Sequence, residues 1–138
     1  MKRFIMLFVM LFFIVNFGYA ACKYSNTRIT RVIDGDTVEA AVNVGFNITV
    51  NETFRIYGVD TPESFGKDKC EKGIKVKKIV KDKLEGKIFN VTVMIKDKYG
   101  RWLMDIEIST ASPKMLSEWL ILNGHAKEYY GGHKEENK

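Results

Sequence analysis

The sequence predicts an α+β fold: a small, partly closed five-stranded β-barrel, with one helix inserted between the third and fourth strands and a short second helix near the end. Three observations carry this. Runs rich in Val, Ile, Thr and Phe are separated by turn signals at Asp34-Gly35, Gly45 to Asn47 and Asp97 to Gly100. A single lysine-rich stretch has apolar residues at helical spacing. Residues 21 to 138, about 118 in number, suffice for one core and one domain.

The elements follow in order. Residues 1 to 20 join basic Met1-Lys2-Arg3 to an apolar run from Phe4 to Phe17 and close on Gly18-Tyr19-Ala20. This is the pattern of a cleaved secretory signal, and the run is shorter than the roughly 18 to 20 residues that cross hydrocarbon. Arg28 to Ile33 reads as the first strand, Thr37 to Val44 as its partner, and Ile48 to Val59 as the third, where Phe54 and Ile56 alternate with Arg55 and Tyr57. After a polar loop, Glu71 to Leu84 reads as a helix with Val76, Ile79, Val80 and Leu84 as its apolar stripe and Gly86 as its stop. Lys87 to Ile95 and Arg101 to Ile108 form a hairpin. A second helix is expected with Ser112 as N-cap, Pro113 in the first helical position, Leu116, Trp119 and Leu120 inward, and Gly124 at its end. Residues after about 131 are polar and expected to lack order. A meander with that insertion is the pattern of the OB type, a scaffold that carries oligonucleotides on one face.

Charge narrows the partners only slightly. Loss of Lys2 and Arg3 leaves 20 basic against 17 acidic side chains, a net +3, which permits a polyanionic partner. Lys67 to Lys87 holds nine lysines and no arginine, more often a solvated helix face than a phosphate-tracking surface. The only cysteines, Cys22 and Cys70, both lie in the mature chain, and a Cys22 to Cys70 disulfide is expected for an exported protein. Cys22 also leaves open a membrane-anchored lipoprotein, although Tyr19 stands where an aliphatic residue is usual. The location expected is secreted or periplasmic, with membrane attachment only if the signal is uncleaved or Cys22 is lipidated. A monomer without a stable protein partner is expected.

Chemistry concentrates in Asp34-Gly35-Asp36-Thr37, in Arg55 with Asp60-Thr61-Pro62-Glu63, and in Arg101 just past a Gly turn. Asp36 and Asp60, with the Thr61 carbonyl, are hard oxygen donors suited to a divalent cation, which would offset the repulsion between hydroxide and a phosphodiester. Glu63, stiffened by Pro62, suits proton abstraction from water. Arg55 and Arg101 have the planar, permanently charged forks that bind phosphoryl oxygens. Singly, each has a bland explanation as turn former, cap or surface charge. Arg55 and Asp60 are five apart, so on a regular strand they would face opposite sides; a bend at Gly58 would reconcile them.

Val32 to Val38, Phe54 to Glu63, Asp97 to Arg101 and Leu122 to Ala126 together resemble, in order, the motifs of the staphylococcal nuclease (thermonuclease) family, over about Thr30 to Tyr130. The resemblance implies an OB-fold, Ca2+-dependent nuclease that cuts DNA and RNA to leave a 3′-phosphate. It implies calcium ligation by Asp36, Asp60 and the Thr61 carbonyl, Glu63 as general base, and Arg55 and Arg101 on the phosphate. It also implies substrate contacts from Lys98, Tyr99 and Tyr130. The loop from Glu63 to the first helix is shorter than in the founding enzyme and carries Cys70. The competing reading is a catalytically silent OB module that binds single strands by stacking and backbone charge.

Overall fold

The computed structural model describes residues 21–131. The signal and tail readings fall on residues 1–20 and 132–138, outside the described residues. Seven strands and two helices run β1 (Cys22–Asp34), β2 (Thr37–Gly45), β3 (Ile48–Ile56), β4 (Val59–Asp60), α1 (Glu71–Leu84), β5 (Ile88–Lys96), β6 (Trp102–Glu107), α2 (Leu116–Leu122) and β7 (Lys127–Glu128). Five of the strands close a barrel in the order β1-β2-β3-β6-β5, and β4 pairs with β7 as a separate two-stranded sheet. The α+β barrel expected from the sequence is therefore present, and it is fully closed. Closure comes from β1, which starts six residues earlier than its apolar pattern suggested. Its register shift between Tyr24 and Thr27 bends it so that Arg28 pairs with both Ala41 and Ile88 while Cys22 reaches Val93. The contact between β3 and β6 is parallel, Phe54 opposite Trp102 and Ile56 opposite Met104.

The core runs from Ile29 and Val38 through Phe54, Ile56 and Met104 to Leu116 and Leu120, and α1 adds Val76, Val80 and Leu84. Helix α1 has the bounds read from the sequence, with Ile79 left partly exposed and Gly73 buried instead. Its N-cap is Cys70, whose Sγ accepts the Gly73 N–H at 3.3 Å. Gly73 is obligatory in this packing, because a Cβ there would overlap the Glu63 carbonyl. The loop holding Pro62 and Glu63 is thereby pressed onto the first turn of α1, and the Cys70 N–H donates to the Glu63 carbonyl at 3.1 Å.

Two expectations fail. Helix α2 starts at Leu116, not Pro113, because Met115 bridges to Glu107 and the Ile108 N–H donates to the Lys114 carbonyl, which continues the edge of β6. The N-cap Met115 makes no side-chain cap, and buried Asp105 does that work, accepting the Ser117 N–H at 3.2 Å and its hydroxyl. The disulfide is also absent: both cysteines are free and exposed. Cys22 opens β1 beside Val93, whereas Cys70 caps α1, which packs by Val76 against Gly35 at the far end of the same strand. Nearly the whole length of β1 separates them, well beyond the roughly 7 Å that a disulfide tolerates between Cα atoms.

Candidate active site

Gly58 resolves the mismatch between Arg55 and Asp60. Its φ of +74° turns the chain between β3 and β4, a conformation that costs other L-residues about 1 to 2 kcal/mol. Strand β4 thus leaves the barrel to pair Asp60 with Lys127 and Val59 with Glu128. Asp60 then folds back on Arg55, whose Nη2 donates to Asp60 Oδ1 at 2.9 Å and to the Val59 carbonyl at 3.1 Å. Arg55 Nη1 bonds Asp36 Oδ1, so one guanidinium joins the two carboxylates singled out as cation ligands. None of these bonds uses the Nε–H.

Asp36 is held from every side. It follows the β1–β2 turn, its carbonyl accepts the Ile56 N–H at 2.8 Å, and its Oδ2 accepts the Thr61 N–H at 2.8 Å and the Thr61 hydroxyl at 3.0 Å. Gly35 lets Thr61 come this close, since a Cβ there would lie 2.8 Å from Thr61 Oγ1 and from Val76. Asp36 is 4% exposed, a level at which a carboxylate needs such partners. The donor set is hard oxygen, the chemistry a calcium-like cation takes, and Arg55 spans the gap between the two carboxylates. Among the described residues no group of three or more His, Cys, Asp or Glu side chains converges, so a cation here would need water or substrate oxygens to complete its shell.

On the outer side of Arg55 opens a cleft of about 260 Å³, lined also by Arg101, Lys98, Tyr99 and Tyr130. The structure thus brings together both arginines and all three residues assigned to substrate by resemblance. Arg101 is aimed by Asp97, a residue the sequence reading used only as a turn former. Asp97 Oδ1 accepts the Tyr99 and Arg101 N–H groups at 2.9 Å, and Oδ2 accepts Arg101 Nε at 2.8 Å. Partial burial opposes its ionisation, but these amides and the guanidinium outweigh it and hold its pKa below the ordinary 3.8. Tyr57 was also missed. Its ring meets Tyr130 edge to face at 5.5 Å, and Gly58 leaves room for Tyr130, whose Cε1 would be 3.0 Å from an added Cβ. Glu63 is half-buried in the loop on α1 and does not line this cleft.

Residues 53–138 match the family model described as staphylococcal nuclease homologue. The chain belongs to that family. The match begins at Thr53, so it takes in Arg55, Asp60, Thr61, Glu63 and Arg101, whereas Asp36 joins them through the fold. A relative, "Endonuclease Htp3" of Saprolegnia parasitica (strain CBS 223.65), is 30% identical over 124 residues, covering 76% of this chain. The chain spans 59% of the length of that relative.

Proposed function

We propose that this protein is an exported, Ca2+-dependent nuclease that hydrolyses phosphodiester bonds of DNA and RNA. The observation that carries the reading is Arg55, which joins Asp36 to Asp60 on one side and lines, with Arg101, a cleft of nucleotide scale on the other. Family membership and the endonuclease named as a relative support it. Export rests on the sequence of residues 1 to 20.

Asp36, Asp60 and the Thr61 carbonyl would hold calcium, which supplies charge neutralisation and orients a phosphoryl oxygen. Arg55 and Arg101 bind the remaining phosphoryl oxygens and follow the charge that grows as phosphorus becomes five-coordinate. Lys98 offers a further positive charge, and Tyr99 and Tyr130 present ring faces to the nucleoside. Glu63 accepts a proton from water as the water oxygen bonds to phosphorus. The P–O5′ bond breaks, the 5′-oxygen takes a proton from solvent, and the products carry a 3′-phosphate and a 5′-hydroxyl. Asp36→Ala is expected to abolish both activity and calcium binding measured by titration calorimetry. An Asp36→Ala protein that is folded, binds calcium as before and still cleaves would remove Asp36 from the proposal.

A further inference from the structure

We propose that the open mouth of the barrel is a membrane-contact face that seats on the lipid interface. All five barrel strands contribute to an apolar groove of about 390 Å³ here, with Cys22 and Tyr24, Val42 and Val44, Val50 and Phe54, Val93 to Ile95, and Trp102 on its walls. Glu52 is its one acidic wall residue, and no helix residue lines it.

The β2–β3 hairpin projects beyond this groove with one apolar face and one polar face. Val42 stands opposite Val50 and Ile48 opposite Gly45, while the alternate positions pair Asn43 with Thr49. At its apex Phe46 is 98% exposed, with Ile48 at 55%, and across the mouth Ile95 is 45% exposed. Scattered exposed apolar residues need no explanation, but a contiguous patch with an aromatic apex marks a contact surface. Lys96 borders it, its Nζ 4.9 Å from the Trp102 ring. Aromatic rings with one wet edge and lysines with long apolar stems suit the headgroup region, and each lysine gains from anionic lipid.

The chain itself argues for lipid as the occupant. The apolar run Phe4 to Phe17 ends only four residues before Cys22, a residue of the groove wall. A run with this pattern meets a membrane during export, so the residues that follow it are delivered to a lipid surface even though the run itself is then removed. The groove is of small-ligand size and cannot enclose a fourteen-residue run, whereas a lipid surface engages the convex Phe46 apex, Ile48 and Trp102 together.

The test uses the full chain and a chain begun at Ala21, which keeps every core residue from Ile29 to Leu120. Trp119→Phe leaves Trp102 as the only tryptophan and thus as the reporter of this face. With vesicles of phosphatidylcholine containing about a quarter phosphatidylglycerol, the chain begun at Ala21 is expected to co-sediment and its Trp102 emission to move to shorter wavelength. Phe46→Asp with Ile48→Asp should lower the bound fraction at least about tenfold, with the far-UV circular dichroism unchanged. Three results overturn the proposal. One is vesicle binding by the full chain only, which assigns it to residues 1 to 20. Another is binding that the double substitution leaves intact. The third is a dimer in sedimentation velocity that shields Trp102 and ignores vesicles, which gives the face to a second copy.

Discussion

Arg55 and Arg101 both face the cleft, yet their surroundings differ enough to separate their roles by measurement. The Arg55 side chain is 11% exposed between Asp36 and Asp60, while that of Arg101 is 38% exposed beside Asp97. Truncating one partner of a buried ion pair strands the other charge, so Arg55→Ala should cost about 3 to 5 kcal/mol of stability as well as activity. Arg101→Ala leaves Asp97 with two backbone donors and should cost less than about 1 kcal/mol in stability, while lowering kcat about a hundredfold to a thousandfold. Urea unfolding and steady-state rates on both variants test this, and equal stability losses would contradict it. Asp97 also fixes a pH dependence. Because its folded-state pKa is depressed, its contribution is complete above the ordinary 3.8 and is lost as pH falls through the lower, folded value. Asp97→Asn should therefore lose less stability than wild type on acidification below pH 4, read from urea midpoints. Asp105 acts in the opposite sense: desolvation raises its pKa, so its charged form weighs against the fold as pH rises through that raised value.

At the level of elements, the seam between α1 and the Pro62-Glu63 loop is the most sensitive joint. Alanine normally favours a helix over glycine by about 1 kcal/mol. At Gly73 the sign should reverse, because the new methyl overlaps the Glu63 carbonyl. Gly73→Ala is expected to destabilise by about 1 to 3 kcal/mol and to reduce kcat by displacing Glu63, with thermal melts and rates as the readouts; an unchanged or raised Tm would refute the seam. Elements whose signals are local were legible in the sequence. Helix α1 shows an apolar stripe along its fourteen residues and a Gly stop just beyond them, and its bounds match. Strand β7 gave no such signal, since Lys127 and Glu128 are strand only by pairing with Asp60 and Val59 far back in the chain. The early start of β1 escaped for the same reason: Cys22 to Thr27 is ordered by β5. Pro113 suggested a helix start, but the partnership of Met115 with Glu107 prevailed over local preference.

For the molecule as a whole, the three short motifs were legible, and the fold brings Asp36, Arg55, Asp60 and Arg101 together while Glu63 stays in the loop on α1. What stayed hidden was how the side chains share one another: Arg55 between two carboxylates, Asp97 steering Arg101, and Tyr57 bracing Tyr130. These are contacts between residues whose types alone suggest turn, strand or surface, and only the closed barrel sets their directions. The barrel would equally suit a module that binds nucleic acid without cutting it. The decisive measurement is cleavage of single-stranded DNA and RNA by residues 21 to 138 with calcium, with calcium chelated, and with Glu63→Gln in calcium. Wild type should cut both polymers only when calcium is present, and Glu63→Gln should retain calcium and oligonucleotide binding while turning over about a hundredfold to ten-thousandfold more slowly. Wild type that binds the oligonucleotide with calcium and never cleaves it, or Glu63→Gln that cleaves at the wild-type rate, would contradict the mechanism.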